Sequence, residues 1–178
     1  MSIAHTWGTR PEERTLSYAC DRYVDGPIDA WYRGVTVDAS AKVVFRWLCQ
    51  LRAAPYSYDW IDNLGRRSPQ QLTPGLDALE VGQRVMSIFT VVDFELDRQI
   101  TVRTRSPKPF GSFVATYMVV EQPVGGTRLL VKISSPPARG IRATIMRAAM
   151  AWSDLVMMRR QLLNLKRLAE RSVRESAA

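Results

Sequence analysis

Apolar and polar residues alternate with two different periods along the chain, and these periods predict its main elements. Residues 30–37 are rich in aromatic and β-branched side chains, which predicts a strand. Residues 41–51 repeat apolar side chains three and four positions apart, which predicts an amphipathic helix. A short aromatic helix over residues 56–60 follows, because Pro55 is suited to begin a helix and Gly65 to end one.

A β-rich block follows a loop that contains several prolines and glycines. Its apolar segments lie at residues 84–96, 99–104, 112–121 and 127–134. Because the connections between them are short, they predict an antiparallel meander of four strands. In the first segment the even-numbered residues, including Met86 and Phe94, form the more continuously apolar set. We therefore expect that set to face the core.

A long helix is predicted over residues 141–171, beyond a pair of prolines. At 100° per residue, Ile145, Ala149 and Trp152 belong to one broad apolar face, which predicts its burial against the sheet. The opposite side carries Met146, Met150 and Met157. Flexible thioethers there suit a cavity wall, irregular core filling or a dimer surface.

The order of these elements predicts an α+β fold with one domain over residues 29–171. A curved antiparallel sheet would wrap around the long C-terminal helix, with two short helices after the first strand. Residues 1–28 are polar and rich in turn formers, which predicts an extended N-terminal arm. Residues 172–178 are predicted to be a frayed tail.

Composition places the chain among ordinary globular proteins. Of its 178 residues 46% are hydrophobic and 24% charged, and no window approaches the roughly 18 apolar residues of a membrane span. The N-terminus lacks a basic region followed by an apolar run, so no signal peptide is expected. Cys20 and Cys49 make neither a disulfide framework nor a metal spacing. We therefore expect a reduced, cytoplasmic protein.

The net charge of +8 lies mostly in the last part of the chain. From residue 136 onward nine basic and three acidic residues leave a net charge of +6. Such a surface is able to bind nucleic acid or an anionic membrane. A solvated helix face is the favoured interpretation, because acidic residues interrupt the basic run.

Several kinds of active site are disfavoured by what the chain contains. The single histidine, His5, lies in the predicted arm, so a Ser-His-Asp or Cys-His site has no plausible base. The chain has no zinc-ligand cluster, phosphate-binding loop or dinucleotide signature, and we predict no metal and no cofactor. Asp59 and Asp62 are three positions apart, a spacing that would allow them to bind a cation or to act as acid and base. A helix cap and a solvated carboxylate explain them best.

Two adjacent stretches resemble a known family. They are VTVDASAKVVFRWLCQL at residues 35–51 and YSYDWIDNLG at residues 56–65. This combination resembles bacterial members of the SRPBCC superfamily, the helix-grip proteins that include START lipid-transfer domains, birch-pollen-allergen-like proteins and polyketide cyclases. The resemblance covers about residues 28–170. It implies a deep apolar cavity between the sheet and the C-terminal helix.

Candidate ligand-binding residues come from the aromatic helix, the sheet strands and the long helix. They are Tyr56, Tyr58, Trp60, Met86, Phe89, Phe94, Tyr117, Lys132, Ile145, Ala149 and Trp152. The aromatic residues would line the rim and wall of the cavity. Tyr117 and Lys132 would supply polar groups in an apolar pocket, as in most small-molecule sites.

Three functions remain open from the sequence. The first is binding of a hydrophobic or amphipathic small molecule such as a lipid, polyketide or quinone. The second is a polyketide cyclase or dehydratase in the same cavity, with Tyr, Asp or Arg residues moving protons. The third is a basic surface for nucleic acid or an anionic membrane, with nucleic acid the less favoured partner. A homodimer is compatible with each of them.

Overall fold

The computed structural model of the protein describes residues 2–106, 111–138 and 140–176. Its strands are β1 (Asp29–Val37), β2 (Arg84–Val85), β3 (Phe89–Glu95), β4 (Gln99–Thr104), β5 (Val114–Glu121) and β6 (Thr127–Ser135). Its α-helices are α1 (Ile3–Thr6), α2 (Ala41–Cys49), α3 (Asp59–Asp62) and α4 (Ile141–Ser176). Turns of 3-10 helix cover Glu12–Thr15, Ala19–Tyr23 and Gln50–Arg52.

The six strands form one curved antiparallel sheet in the order β1-β6-β5-β4-β3-β2. Strands β2 to β6 are neighbours in the order of the chain, and β1 joins the far edge through β6. Helix α2 begins after Ser40, where the extended backbone suits an N-cap. It buries Val44, Trp47 and Leu48 in the core. The predicted α+β helix-grip architecture is confirmed.

The first β-rich segment departs from the predicted single strand in a way that changes which side chains face the core. Met86 and Ser87 have positive φ, which turns the chain between β2 and β3. A register shift between Val91 and Asp93 then reverses the alternation of side chains within β3. Val91 is fully buried and Phe94 packs against the same core, so both odd- and even-numbered residues point inward. The expectation for the even-numbered set alone was wrong.

Helix α4 is rotated relative to the predicted orientation. Its C-terminal half buries Leu162, Leu165 and Leu168 completely, and these leucines fix the rotation of the whole helix. The face that carries Ile145 and Trp152 therefore points to solvent. The helix also continues past the predicted end at residue 171, helped by a 3.0 Å hydrogen bond from Trp47 Nε1 to Ser172 Oγ. Residues 177 and 178 of the predicted tail lie outside the described part.

The two faces of the sheet are covered by different parts of the chain. The inner face packs against α2 and α4, and the outer face packs against the N-terminal residues. Tyr18 and Cys20 are buried against the outer-face residues Tyr32, Met118 and Leu130. Instead of an extended arm, the described residues before β1 thus form short helical turns. The turn at Ala19–Tyr23 covers the outer face, whereas Ala4 in α1 is buried in the inner core.

A close approach of two glycines fastens this N-terminal segment to β1, an edge strand. The Gly34 amide donates to the Trp7 carbonyl over 3.1 Å. A Cβ on Gly8, whose φ is +72°, would lie 2.0 Å from the Gly34 carbonyl oxygen. Only glycine fits here, and the contact occupies backbone groups of β1 that an edge strand otherwise exposes.

Among the helices in the described residues, none has both the length and the apolar character needed to cross a membrane.

Candidate functional site

The candidate site lies where α4 crosses the inner face of the sheet. The helix runs alongside β1 and is tied to it at both ends. Arg147 pairs with Asp29 at 3.5 Å, and Lys166 Nζ donates to the Thr36 carbonyl over 2.7 Å. Because these contacts hold α4 along one edge strand, its middle turns face the inner side chains of the sheet.

A buried ion pair joins β1 to the middle of α4. Arg33 is completely buried, and its Nη2 donates to Asp154 Oδ2 over 2.8 Å. The same guanidinium donates to the carbonyls of Tyr32 and Ala151, at 2.9 and 3.4 Å. Its Nε has no acceptor within the described residues. The guanidinium therefore retains one buried N–H without an acceptor among those residues.

The environment shifts both members of this pair toward their neutral forms. Burial raises the pKa of Asp154 from 3.8 to about 6, although the attraction of Arg33 opposes the rise. Burial also lowers the pKa of Arg33, against the stabilising charge of Asp154. A quarter of the Asp154 side chain stays exposed, so its carboxylate can exchange protons with solvent or a ligand. A carboxyl with a pKa near 6 can act as either acid or base near neutral pH.

A second polar group stands close by. Tyr117, on β5, is fully buried and donates its hydroxyl to Gln161 Oε1 over 2.8 Å. Burial raises its pKa strongly, and the charge of Asp154 raises it further. Gln161 Nε2 donates in turn to the Pro55 carbonyl over 2.6 Å. Tyr117 thus remains a neutral hydroxyl fixed by α4.

Partly exposed apolar side chains of several elements pack against the core that contains Tyr117. They include Met86, Phe89, Phe94, Met150 and Met158. Met158 Sδ lies 3.8 Å from the Tyr117 hydroxyl, and Met86 Sδ lies 3.0 Å from Gln161 Nε2. Partly exposed apolar groups beside a buried charge are the features from which small-molecule sites are built.

The structure brings together six of the predicted site residues, five of them at or in the inner core and one, Tyr58, at its edge. Met86, Phe89, Phe94 and Tyr117 lie at the inner face. Tyr56 is buried in the same core, with a hydroxyl that has no partner in the described residues and a pKa raised by burial to about 12. Tyr58 is half-buried, and the Arg160 guanidinium lies 5.9 Å from its ring centre.

The other predicted residues lie elsewhere. Trp60, Ile145, Ala149 and Trp152 are exposed, the last three because of the rotation of α4. Lys132 points to the outer face of the sheet. There its Nζ donates to Asp21 over 2.7 Å and lies above the rings of Tyr18 and Tyr32. Both faces of β6 are buried, and the aliphatic part of the Lys132 side chain fits either of them, so the sequence did not indicate which face it would take.

Sequence reasoning missed Arg33, Asp154 and Gln161. A signal existed for two of them. Arg33 is the only charged residue among the aromatic and β-branched residues 30–37, and Asp154 is the only acidic residue between positions 141 and 169. A single charge in an apolar strand is costly to bury unless it is paired, so Arg33 indicated a buried partner but not which one. The signal of Asp154 was weaker, because its helix also carries several arginines.

A separate surface groove of about 510 Å³ lies between α2 and the C-terminal end of α4. Its walls include Val43, Trp47, Leu72 and Val173, together with the charged side chains of Arg46 and Arg171. None of the polar groups of the candidate site lines it. Among the described residues no three His, Cys, Asp or Glu side chains are grouped so as to hold a metal ion.

A family profile described as polyketide cyclase / dehydrase and lipid transport matches residues 32–170. The protein therefore belongs to this family, and the resemblance to the SRPBCC superfamily is confirmed. The match begins on β1 and ends near the close of α4, so it includes Arg33, Tyr117 and Asp154. None of the curated proteins matches the chain in sequence.

Solved structures share the fold at low sequence identity. The di-domain ARO/CYC StfQ from the steffimycin biosynthetic pathway has a TM-score of 0.53 and 12% identity over 82% of this chain and 52% of its own. The Zhui aromatase/cyclase from a Streptomyces species has a TM-score of 0.51 and 19% identity over 83% and 96%. A Chromobacterium violaceum protein has a TM-score of 0.51 and 12% identity over 80% and 98%.

The protein spans about half the length of the StfQ di-domain protein. At these identities the likeness concerns the fold, and the chemistry has to be argued from the residues of the site itself.

Proposed function

We propose that the protein binds a hydrophobic or amphipathic small molecule between α4 and the inner face of the sheet. The observation that carries the proposal is the buried Arg33–Asp154 pair between β1 and α4, on the same face of the sheet as the core against which partly exposed apolar side chains pack. A ligand of the lipid, polyketide or quinone type offers both the carbon surface and the oxygen atoms that this arrangement suits.

The apolar part of the ligand would supply most of the affinity. Removing carbon surface from water contributes roughly 25 cal/mol per Å². The partly exposed Phe89, Phe94 and Met150 would also lose their remaining contact with water when a ligand covers them. Methionine side chains at this surface would adapt to ligands of different shape.

The polar part of the ligand would be oriented by Arg33. A buried donor without an acceptor costs about 1–3 kcal/mol, and a ligand oxygen at Arg33 Nε would remove that cost. A carbonyl, an enolate or a carboxylate oxygen would fit, with the strongest bond to a charged oxygen. The affinity should therefore depend on both the apolar wall and this single N–H group.

Native mass spectrometry of the purified protein tests the proposal. A co-purified apolar molecule is expected, released under denaturing conditions and identified by its mass. The variant Phe94→Ser should lower its occupancy, while the control variant Leu96→Ser, at an exposed position two residues further along, should not. Protein that carries no ligand, and that takes up no added fatty acid or naphthoquinone, would refute the proposal.

A specific observation also favours a cyclase or dehydratase as a second candidate function. Asp154 has a pKa raised to about 6 and lies against a guanidinium. In a dehydratase its carboxylate would take the proton from a carbon next to a carbonyl group, and the resulting enolate oxygen would bond Arg33 Nε. The electron pair of the enolate would then form a C=C bond as the C–O bond of a hydroxyl on the adjacent carbon breaks, and that hydroxyl would take the proton from Asp154 and depart as water.

Hydrogen–deuterium exchange of an aryl β-diketone measures the first of these steps. The protein should accelerate exchange at the central carbon, with a rate that rises through pH 6 as Asp154 ionises. Asp154→Asn should abolish the acceleration, and Asp21→Asn, at an outer-face carboxylate, should keep it. An acceleration that survives in Asp154→Asn would rule out this mechanism.

We further propose that residues 29–171 form the ligand-binding domain, and that the protein works in the cytoplasm. Both Cys20 and Cys49 are free and buried, as expected in a reducing compartment. Burial raises the pKa of the Cys49 thiol to about 12, so it stays protonated and unreactive.

A further inference from the structure

An apolar stripe on α4 faces solvent. It consists of Ile141, Ile145, Trp152 and Val156, which are 79%, 63%, 53% and 52% exposed. At 100° per residue these four side chains lie within about 60° of one another, so they form one ridge along the first half of the helix. Single exposed apolar residues are ordinary, but a continuous row of large ones indicates an interaction surface.

Helix α3 adds a second group of exposed apolar side chains beside this stripe. Trp60, Ile61 and Leu64 are 76%, 51% and 90% exposed. Hydrogen bonds hold the α3 segment against α4: Ser57 Oγ donates to the Met157 carbonyl over 3.0 Å, and Asn164 Nδ2 donates to the Tyr56 carbonyl over 2.8 Å. The two apolar groups therefore belong to neighbouring elements.

The exposed charges along this part of α4 are of one sign, whereas α3 carries the half-buried carboxylates of Asp59 and Asp62. Arg142, near the start of the stripe, and Arg159 and Arg160, just beyond its end, are exposed on α4. The only acidic residue between positions 141 and 169 is Asp154, which points toward β1 and is paired with Arg33. Arg66 and Arg67 are exposed just after α3. The apolar stripe is thus flanked by arginines with no exposed carboxylate on that half of the helix.

We propose that this surface, the α4 stripe with the exposed end of α3, docks onto an anionic lipid bilayer. A helix with a tryptophan and aliphatic residues between arginines lies in the membrane interface, with its apolar side chains among the acyl chains and its arginines at the head groups. Anionic head groups attract each basic residue near the surface. The docking needs no bound small molecule and so does not depend on the proposed function.

Other occupants fit the surface less well. A two-fold contact between two copies would place the stripe against itself and bring the arginines of both copies together, which like-charge repulsion opposes. Nucleic acid would neutralise the arginines, but it would leave Trp60, Trp152 and the isoleucines exposed to water. Of these three occupants, the bilayer is the one that covers both kinds of side chain without bringing like charges together.

Vesicle flotation tests the proposal with the full chain at about 150 mM salt, where surface charge is already partly screened. The probes are vesicles of pure phosphatidylcholine and vesicles that contain one part in three of phosphatidylglycerol. The variants are Trp152→Ser and the double variant Arg159→Gln/Arg160→Gln. The control is Val124→Ser, which removes a 97% exposed apolar residue from the β5–β6 turn.

The protein is expected to float with the anionic vesicles and much less with the neutral ones. Trp152→Ser should lower the partition coefficient about tenfold. The double arginine variant should lower it about 30-fold. Far-UV circular dichroism and thermal unfolding should match the unchanged protein, because all three positions are exposed.

Four results would overturn the proposal. The first is that the protein binds neither kind of vesicle, and the second is that Val124→Ser loses as much binding as Trp152→Ser does. The third is a dimer, detected by light scattering, that Trp152→Ser dissociates. The fourth is binding to duplex DNA that depends on the arginines alone. The last two would assign the surface to a second copy or to nucleic acid instead.

Discussion

The two ends of the Arg33–Asp154 pair are buried to different degrees, and this predicts unequal costs of removing them. Asp154→Leu leaves a fully buried guanidinium with only two carbonyl acceptors, at 2.9 and 3.4 Å. Arg33→Met leaves a carboxyl that is a quarter exposed and can take up a proton. Breaking a buried pair from one side costs about 3–5 kcal/mol. We expect the full cost for Asp154→Leu and about half of it for Arg33→Met.

The double variant Arg33→Met/Asp154→Leu should be more stable than Asp154→Leu alone. It leaves no unpaired charge, and well-packed apolar residues often replace a buried ion pair at little cost. Urea unfolding of the four proteins gives a double-mutant cycle, whose coupling energy should be about 2–3 kcal/mol. Equal losses for the two single variants, with a double variant that loses their sum, would refute a buried and coupled pair.

The pH dependence of stability follows from the raised pKa of Asp154. Between pH 3.8 and about 6 this carboxyl binds more protons in the folded state than in the unfolded state. Its contribution to stability therefore falls as the pH rises through that window. The difference in unfolding free energy between the unchanged protein and Asp154→Asn isolates this effect, since other carboxylates titrate in both proteins. In Arg33→Met the window should extend to higher pH.

Three further variants test other parts of the structure by urea unfolding. Gly8→Ala should cost at least about 3 kcal/mol because its Cβ would meet the backbone of β1, whereas Gly26→Ala, with a similar positive φ and open space around it, should cost about 1 kcal/mol. Tyr117→Phe should cost about 1–3 kcal/mol by leaving a buried amide oxygen without its donor. Arg128→Met should cost about 3–5 kcal/mol because it leaves the buried carboxylate of Glu13 unpaired. A similar loss of unfolding free energy in Gly8→Ala and Gly26→Ala would contradict the first assignment. No loss in Tyr117→Phe or in Arg128→Met would contradict the other two.

The elements with strong local signals were predicted well from the sequence. The strand over residues 30–37 and the helix from residue 41 agree with β1 and α2 within a few residues. The enrichment of residues 30–37 in aromatic and β-branched side chains indicates β1, and the three- and four-residue spacing of apolar side chains indicates α2. The same holds for the order of the strands in the meander, which short turns impose.

The rotation of α4 was not predictable in the same way. The helix carries apolar side chains on more than one side, so periodicity alone offers two candidate faces. Packing of Leu162, Leu165 and Leu168 selects one of them, and that choice depends on α2 and β1 rather than on α4 itself. The register shift in β3 is a similar case, because one extra residue reverses every side chain that follows it.

Of the polar groups of the candidate site, only Tyr117 was among the residues predicted from the sequence. The aromatic and methionine residues of the sequence indicated its apolar part. The Arg33–Asp154 pair joins residues 121 positions apart, and only the packing of α4 on β1 brings them together. A lone charge in an apolar strand indicates that a partner exists, but a tertiary contact decides which residue it is.

The central claim, that a small molecule binds between α4 and the inner face of the sheet, is tested most directly by methyl NMR. The methionines are natural reporters: Met86, Met150 and Met158 border the site, whereas Met118 is buried beneath the outer face. With ¹³C-methyl-labelled methionine and added fatty acid or naphthoquinone, the first three signals should shift together and that of Met118 should stay in place. Shifts at Met118, or no shifts at saturating ligand, would contradict the claim.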